Sequence, residues 1–207
     1  VMGCYALLED GEGPALIFDI GGGSTELVLV STHNVIPEIL DWVSVPWGVV
    51  SLTESERTEG DSPEQLQASY QAMRDKVMAS FAEFAARLPK DGGDRRLLGS
   101  SGTVTTLASV YLKLNSYDRR AVDGLHLPTA AMRDISRELA HRNIAGRAEF
   151  PTIGQERADL VVAGCAILES IFDIWPGERL GVADRGIREG ILRALMASDA
   201  KRRNRRN

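Results

Sequence analysis

The residues most suited to chemistry form one short run near the start of the chain. Residues 19–26 read Asp-Ile-Gly-Gly-Gly-Ser-Thr-Glu, so that two carboxylates flank three consecutive glycines and two hydroxyl residues. Glycine adopts positive φ angles freely and has no side chain to block a ligand, and successive backbone amides in such a turn can converge on an anion. The sequence therefore predicts an anion-binding turn made by Gly21, Gly22, Gly23, Ser24 and Thr25.

The length of the hairpin loop decides whether the two carboxylates face each other. If residues 21–24 form the loop of a hairpin, Asp19 stands opposite Glu26, with Cβ atoms about 5 Å apart. Carboxylates that close repel each other unless a cation such as Mg²⁺ compensates. One carboxylate could instead orient or deprotonate an attacking water while the other holds the metal. A three-residue loop would change this register, and a plain glycine-rich hairpin with two exposed acids is the alternative without chemistry.

A second run of small residues follows a short apolar segment. Residues 98–106 read Leu-Gly-Ser-Ser-Gly-Thr-Val-Thr-Thr, which predicts a strand, a turn and the start of a helix. The N-terminus of a helix offers free N–H groups and a partial positive charge to a phosphate, so Ser101, Gly102 and Thr103 are candidate phosphate-binding residues. The run lacks the lysine of a P-loop and the glycine spacing of a dinucleotide fingerprint. The alternative is a purely structural turn capped by Ser101 or Thr103.

These two runs resemble the phosphate-binding segments of the actin/Hsp70/sugar-kinase superfamily. The sequence of the first segment, Asp-Ile-Gly-Gly-Gly-Ser-Thr-Glu, is most similar to the corresponding segment of the exopolyphosphatase/guanosine-pentaphosphate (pppGpp) phosphohydrolase family. The resemblance implies a ribonuclease-H-like α/β fold of the actin type, with a mixed sheet flanked by helices. It also implies that Asp19 and Glu26 are catalytic and metal-binding carboxylates, and that terminal phosphates are hydrolysed from polyphosphate or pppGpp with Mg²⁺.

Further segments extend the resemblance over nearly the whole chain. Residues 184–190 match a family segment in which Arg188 is a possible anion contact, although such an arginine more often pairs with an acid. Residues 155–159 also resemble the family, and we expect Arg157 and Asp159 to form an internal ion-pair network.

The family begins with another domain that carries its own phosphate hairpin and a catalytic glutamate, and neither is found here. The resemblance thus implies that residues 1–200 are the second half of a two-domain core, followed by a basic tail at 201–207. The chain starts with Val1 rather than Met, which suggests a piece of a longer protein or a processed start. We expect the chain alone to have little activity. Family members often form dimers, so the resemblance also implies a possible homodimer.

The hydrophobic pattern supplies the elements that must position these residues. Apolar runs predict strands at 15–20, 25–30, 35–45 (interrupted near Pro37), 95–99 and 180–183. Helical periodicity predicts helices at 63–88, 103–114, 128–141, 155–175 and 184–197. Asp61 or Ser62 can cap the first of these, and Pro63 suits its first turn. Strands in series followed by alternating helices and strands indicate a layered α/β domain.

Composition narrows the function classes. Of 207 residues 43% are hydrophobic and 26% are charged, which is typical of a globular protein in water, and no apolar run is long enough to span a bilayer. The net charge of the whole chain is −5. Because the tail at 201–207 is basic, residues 1–200 are more acidic than this value suggests, which argues against nucleic-acid binding. Cys4 and Cys165 are too isolated for a disulfide framework or a zinc site, and we expect Cys165 to be buried. His33, His126 and His141 are predicted to be surface histidines, and the expected location is the cytoplasm.

Three other functions remain open at this point. A kinase of the same superfamily would need ATP and an acceptor site. A non-catalytic sensor would bind a phosphorylated nucleotide without turnover. A structural remnant is the last alternative, although the intact carboxylate pair argues against it.

Overall fold

The computed structural model describes residues 7–9, 11, 13–32, 38–56, 60–90 and 95–184. Six strands form one mixed sheet in the order β3-β2-β1-β4-β6-β5. The strands are β1 (Ala15–Ile20), β2 (Thr25–Ser31), β3 (Glu38–Val45), β4 (Arg96–Ser100), β5 (His126–Pro128) and β6 (Arg179–Ala183). β1, β2 and β3 are antiparallel neighbours, whereas β1, β4 and β6 run parallel. The predicted α/β fold with a mixed sheet is confirmed.

Eight helices accompany the sheet in the described part of the chain. They are α1 (Val49–Ser55), α2 (Pro63–Arg87), α3 (Gly102–Tyr111), α4 (Arg119–Val122), α5 (Thr129–Ala140), α6 (Ile144–Ala148), α7 (Gly154–Arg157) and α8 (Val161–Ile174). The sequence predicts α2, α3 and α5 to within a few residues, and α1, α4, α6 and β5 are missed because each is short.

The main core lies between one face of the sheet and the long helices. Alternate residues of β1, Leu16, Phe18 and Ile20, belong to this core. The predicted apolar face of α2 is buried against it: Leu66, Tyr70, Met73, Val77, Phe81 and Phe84. Ser62 caps α2 by accepting a hydrogen bond from the Gln65 N–H, as predicted. The other face of the sheet carries a smaller cluster, of which Ala15 and Ile17 are members.

Several predicted bounds differ from the structure. The helix predicted at 155–175 is two helices, α7 and α8, because the chain turns over Ala158–Leu160 before the buried segment starts. The third strand, predicted at 35–45, is observed at Glu38–Val45, and residues 35–37 of that prediction lie outside the described residues. The final helix predicted at 184–197 falls almost wholly outside the described residues, and the basic tail lies outside them completely.

Other predictions from composition have mixed outcomes. In the described part of the chain no helix combines the length and the apolar character needed to cross a membrane. Cys165 is buried, as predicted. His141 is exposed, but His126 is half-buried in β5, so the prediction of a surface histidine is wrong there. Cys4 and His33 lie outside the described residues.

A close backbone contact joins the β1–β2 loop to the start of α1. The N–H groups of Val49 and Val50 donate to the carbonyls of Gly21 and Gly22, at 2.9 and 2.8 Å. A Cβ atom built on Gly48 would lie 2.4 Å from the Gly21 carbonyl oxygen, so only glycine fits at this position. The first turn of α1 therefore fixes the position of the glycine loop through these two hydrogen bonds.

Gly48→Ala should displace this loop and destabilise the protein. We expect the free energy of unfolding in urea to fall by about 1–3 kcal/mol, which is typical of overpacking. Gly23→Ala is the matched control, because a Cβ there meets no atom within 4 Å and its φ is not in the left-handed region. If Gly48→Ala unfolded at the same urea concentration as the wild-type protein, the loop would not depend on this contact.

Candidate active site

The register of the β1–β2 hairpin brings the two candidate carboxylates together. Ile20 pairs with Thr25 and Asp19 pairs with Glu26, so the loop has four residues, as assumed in the sequence analysis, and not three. The Gly21 N–H closes the loop by donating to the Ser24 carbonyl at 2.9 Å. Because successive side chains of a strand alternate between faces, Asp19 and Glu26 lie on the sheet face opposite the main core.

The environment of the two carboxylates differs. Partial burial, together with the nearby Glu26 carboxylate, raises the pKa of Asp19 to about 6. Glu26 accepts two hydrogen bonds on the same oxygen, Oε1, from Ser24 Oγ at 2.7 Å and from Ser44 Oγ at 3.1 Å. Ser44 lies opposite Glu26 on β3. The pair thus combines one carboxylate that is costly to ionise with one that is held by hydroxyl donors.

The glycine loop has a different basis from the one expected. None of Gly21, Gly22 and Gly23 has a positive φ, since the described glycines with positive φ are Gly124 and Gly154. The glycines instead leave the tip open: Gly22 and Gly23 are exposed, and a Cβ on Gly23 would meet nothing within 4 Å. Their value is a backbone that a ligand can approach closely.

The two hydroxyl residues of this loop are already engaged. Ser24 donates to Glu26, as described above. Thr25 is fully buried, and its hydroxyl donates to the Trp47 carbonyl at 2.7 Å. In this conformation both hydroxyls hold the protein together, and their contact with a phosphate stays a prediction.

The second glycine turn joins β4 to α3 as the sequence predicts. Ser101 is the N-cap of α3, and its hydroxyl accepts a hydrogen bond from the Val104 N–H at 3.1 Å. Thr103 is buried against α8, where Gly164 leaves room for its side chain. Gly102 has open space at its Cα, so the backbone at the start of the helix is accessible to a ligand.

Both glycine turns line one cleft of about 250 Å³. Gly21 and Gly22 contribute from the first turn, and Gly102 and Thr103 from the second. The rest of the lining is mostly apolar, together with two polar side chains: Ile20, Val49, Thr106, Arg157, Leu160 and Val161. Neither Asp19 nor Glu26 is among the described residues that line this cleft, because Ile20 occupies the core face at the end of β1 and the carboxylates occupy the other.

Arg157 is a site residue that the sequence interpretation misses. Instead of joining an ion-pair network with Asp159, its Nη1 donates to Thr106 Oγ1 of α3 at 3.0 Å, and its side chain is exposed at the cleft. No signal in the sequence brings Arg157, at the end of α7, to Thr106 of α3, so this role could not be found without the tertiary structure. Arg188, the predicted anion contact, lies outside the described residues.

The carboxylate pair is chemically suited to a hard divalent cation. Oxygen ligands from one or two carboxylates, completed by water and phosphate oxygens, are what Mg²⁺ prefers. Among the described residues no group of three or more His, Cys, Asp and Glu side chains could enclose a metal ion. A cation at this site would be coordinated by Asp19 and Glu26, and the substrate would have to supply further ligands.

Asp19→Asn should stabilise the protein at alkaline pH. The folded-state pKa of about 6 lies above the usual 3.8, so the folded state binds the Asp19 proton more tightly and stability falls as pH rises through that window. We expect a gain of about 1–2 kcal/mol at pH 8, reduced from the full shift because Asp19 keeps partial contact with solvent. The gain should vanish below pH 4, and added Mg²⁺ should stabilise the wild-type protein but not the variant. Equal urea unfolding curves at pH 8 without metal would contradict the raised pKa.

Comparison with known proteins identifies related sequences. The chain is 29% identical over 186 residues to a putative exopolyphosphatase of Haemophilus influenzae, covering 89% of this chain and 53% of that protein. It is 29% identical over 169 residues to exopolyphosphatase 2 of Mycobacterium tuberculosis, covering 82% and 50%. A guanosine-5'-triphosphate,3'-diphosphate pyrophosphatase of Aeromonas salmonicida is 29% identical over 193 residues, covering 91% and 35%. The chain thus spans about half the length of these relatives or less.

Solved structures give the same result for the fold. The crystal structure of the Aquifex aeolicus member of the Ppx/GppA family superimposes with a TM-score of 0.72 at 26% identity, covering 91% of this chain and 57% of that one. A type II variant of the Aquifex aeolicus Ppx/GppA phosphatase superimposes with a TM-score of 0.69 at 27% identity, covering 87% and 56%. The model of the Ppx/GppA phosphatase family matches residues 1–199, and the chain therefore belongs to this family.

Proposed function

We propose that this chain supplies one wall of the active site of an enzyme that hydrolyses the terminal phosphoanhydride bonds of polyphosphate, pppGpp or both. The observation that carries the proposal is the meeting of two glycine turns at one cleft, at the end of β1 that also bears the Asp19–Glu26 pair. Relatives named as exopolyphosphatases and as a guanosine-5'-triphosphate,3'-diphosphate pyrophosphatase support a hydrolase acting on phosphoanhydrides.

The two turns are suited to holding the transferred phosphoryl group. The exposed backbone of Gly22 and Gly23 approaches from one side, and the N-terminus of α3 approaches from the other. Phosphoryl transfer needs little covalent chemistry from the protein and depends on positioning and charge stabilisation. Backbone N–H groups and the partial positive charge of a helix N-terminus provide both without side chains.

The carboxylates are assigned separate roles. Glu26 orients and activates the attacking water, and its held Oε1 leaves the second oxygen available for that contact. Asp19, assisted by Glu26, would hold Mg²⁺, which supplies positive charge to the phosphate oxygens when bound. Water then attacks the terminal phosphorus in line with the bond to the bridging oxygen and gives a proton to Glu26. That bond breaks, the shortened polyphosphate or nucleotide leaves with the bridging oxygen, and the terminal phosphate is released without a covalent enzyme intermediate.

The lining of the cleft also includes apolar side chains. Ile20, Val49, Leu160 and Val161 offer a surface against which a nucleoside can pack, whereas a polyphosphate chain has no apolar part to bury there. The half of the relatives that this chain does not match is expected to complete the site, so that the 207-residue chain alone should turn over substrate slowly.

Mg²⁺-dependent phosphate release from pppGpp and from polyphosphate tests the proposal directly. The assay compares the protein encoded by the whole gene with the 207-residue chain, and Glu26→Gln in each. We expect Glu26→Gln to lower kcat by about 10²-fold or more, the range for a positioned acid or base. Glu83→Gln, an exposed glutamate on α2, is the matched control and should be unchanged. Folded whole-gene protein that releases no phosphate from either substrate would overturn the proposal.

Arg157 gives a second test, because its guanidinium lies at the cleft without an ion-pair partner among the described residues. Arg157→Ala should raise KM about 10-fold, since hydrogen bonds between charged groups contribute about 1.5–3 kcal/mol and this side chain is exposed. Arg157→Lys should recover part of the loss, because lysine keeps the charge without the planar fork. Arg120→Ala, at an exposed position on α4, is the control. An unchanged KM in Arg157→Ala would remove this residue from the site.

A further inference from the structure

A row of three polar side chains crosses the antiparallel part of the sheet. Asp19 on β1 lies opposite Glu26 on β2, and Glu26 lies opposite Ser44 on β3. Directly opposed residues of neighbouring strands point to the same face with Cβ atoms about 5 Å apart. Ser44 is therefore a member of the same constellation as the carboxylate pair, although it comes from a segment of no evident chemical interest in the sequence.

Ser44 and Ser24 hold Glu26 from two directions. Ser24 Oγ donates to Glu26 Oε1 at 2.7 Å from the glycine loop, and Ser44 Oγ donates to the same oxygen at 3.1 Å from the edge strand. A glutamate side chain has three rotatable bonds and loses considerable freedom when it is fixed. With both donors on Oε1, the orientation of the carboxylate plane is set and Oε2 is the oxygen that neither serine uses.

The position of Ser44 is itself well determined. β3 pairs with β2 at Ser44 and at both of its neighbours along the strand. Just beyond the end of β3, the Thr25 hydroxyl donates to the Trp47 carbonyl. Farther along the strand, Asp41 pairs with Arg87 of α2 at 2.8 Å. A donor on such a strand moves less than one on a loop, so Ser44 can keep Glu26 oriented when a ligand displaces Ser24.

We propose that Ser44 is a positioning residue for Glu26, which sets the direction in which this carboxylate meets water and metal. This role rests on the proposed function, because it concerns the residue that the hydrolysis assigns to water activation. Ser44 contacts no reacting atom and acts only through Glu26. Small misplacements of a catalytic group lower the rate without weakening substrate binding, so its loss should appear in kcat rather than KM.

Steady-state kinetics of the whole-gene protein test the proposal with Ser44→Ala, Ser44→Thr and the control Ser116→Ala, an exposed serine in the segment between α3 and α4. We expect Ser44→Ala to lower kcat about 3- to 10-fold, the effect of losing one solvent-exposed hydrogen bond to a charged group, with KM within about twofold of wild type. Ser44→Thr keeps the hydroxyl and suits a strand, so it should recover most of the rate. An unchanged kcat in Ser44→Ala, or an equal loss in Ser44→Thr, would overturn the role.

A second measurement separates this role from the proposed function. Mg²⁺ affinity of the same variants, measured by calorimetry at pH 8, should weaken about threefold in Ser44→Ala and recover in Ser44→Thr, because one metal ligand is less well oriented. Wild-type protein that binds Mg²⁺ but releases no phosphate would overturn the proposed hydrolysis, and the affinity series would still decide the role of Ser44. Equal Mg²⁺ affinity in all variants would then count against it. An unchanged midpoint of thermal unfolding in Ser44→Ala is expected, since this side chain is exposed.

Discussion

The antiparallel ladder between β1 and β2 is the constraint on which the candidate site depends. With the loop limited to four residues, Asp19 and Glu26 must face each other, and a shift by one residue would move every side chain of one strand to the other face of the sheet. The register is held by the alternation of core residues along β1 and by the contacts of the loop carbonyls with α1. Gly48 makes those contacts possible, since any side chain there would collide with the loop backbone.

This arrangement carries an electrostatic cost. Partial burial, and after it the neighbouring Glu26 carboxylate, raise the pKa of Asp19, because both disfavour its ionised form. A hairpin with only a structural role would be more stable with one acidic and one neutral residue at these two positions. A bound cation would offset the repulsion between the two carboxylates, which is why the proposed mechanism includes Mg²⁺.

The cleft and the two carboxylates lie on opposite faces of the sheet. The cleft lies on the core face, where the start of α3 and the glycine loop approach each other beside Arg157. The carboxylates lie on the other face, where Ser24 and Ser44 hold Glu26. A phosphate chain at the tip of the glycine loop would contact both, because the loop is the edge that the two faces share. The chain covers 53% of one curated relative and 57% of one solved family member, and we propose that the remainder of such a protein completes the site.

The sequence by itself determined the parts of this protein that depend on local chemistry. Three glycines between two apolar runs allow few structures other than a tight hairpin, and Ser62 before Pro63 marks the start of α2. The register of Asp19 and Glu26 followed only on the assumption of a four-residue loop, which the structure confirms. Only the tertiary structure decided that Arg157 turns toward Thr106 and that Ser44 reaches Glu26. These contacts join residues 51 and 18 positions apart. They depend on where the end of α7 lies relative to α3 and on how β3, which has a bulge, pairs with β2, and a local sequence pattern encodes neither.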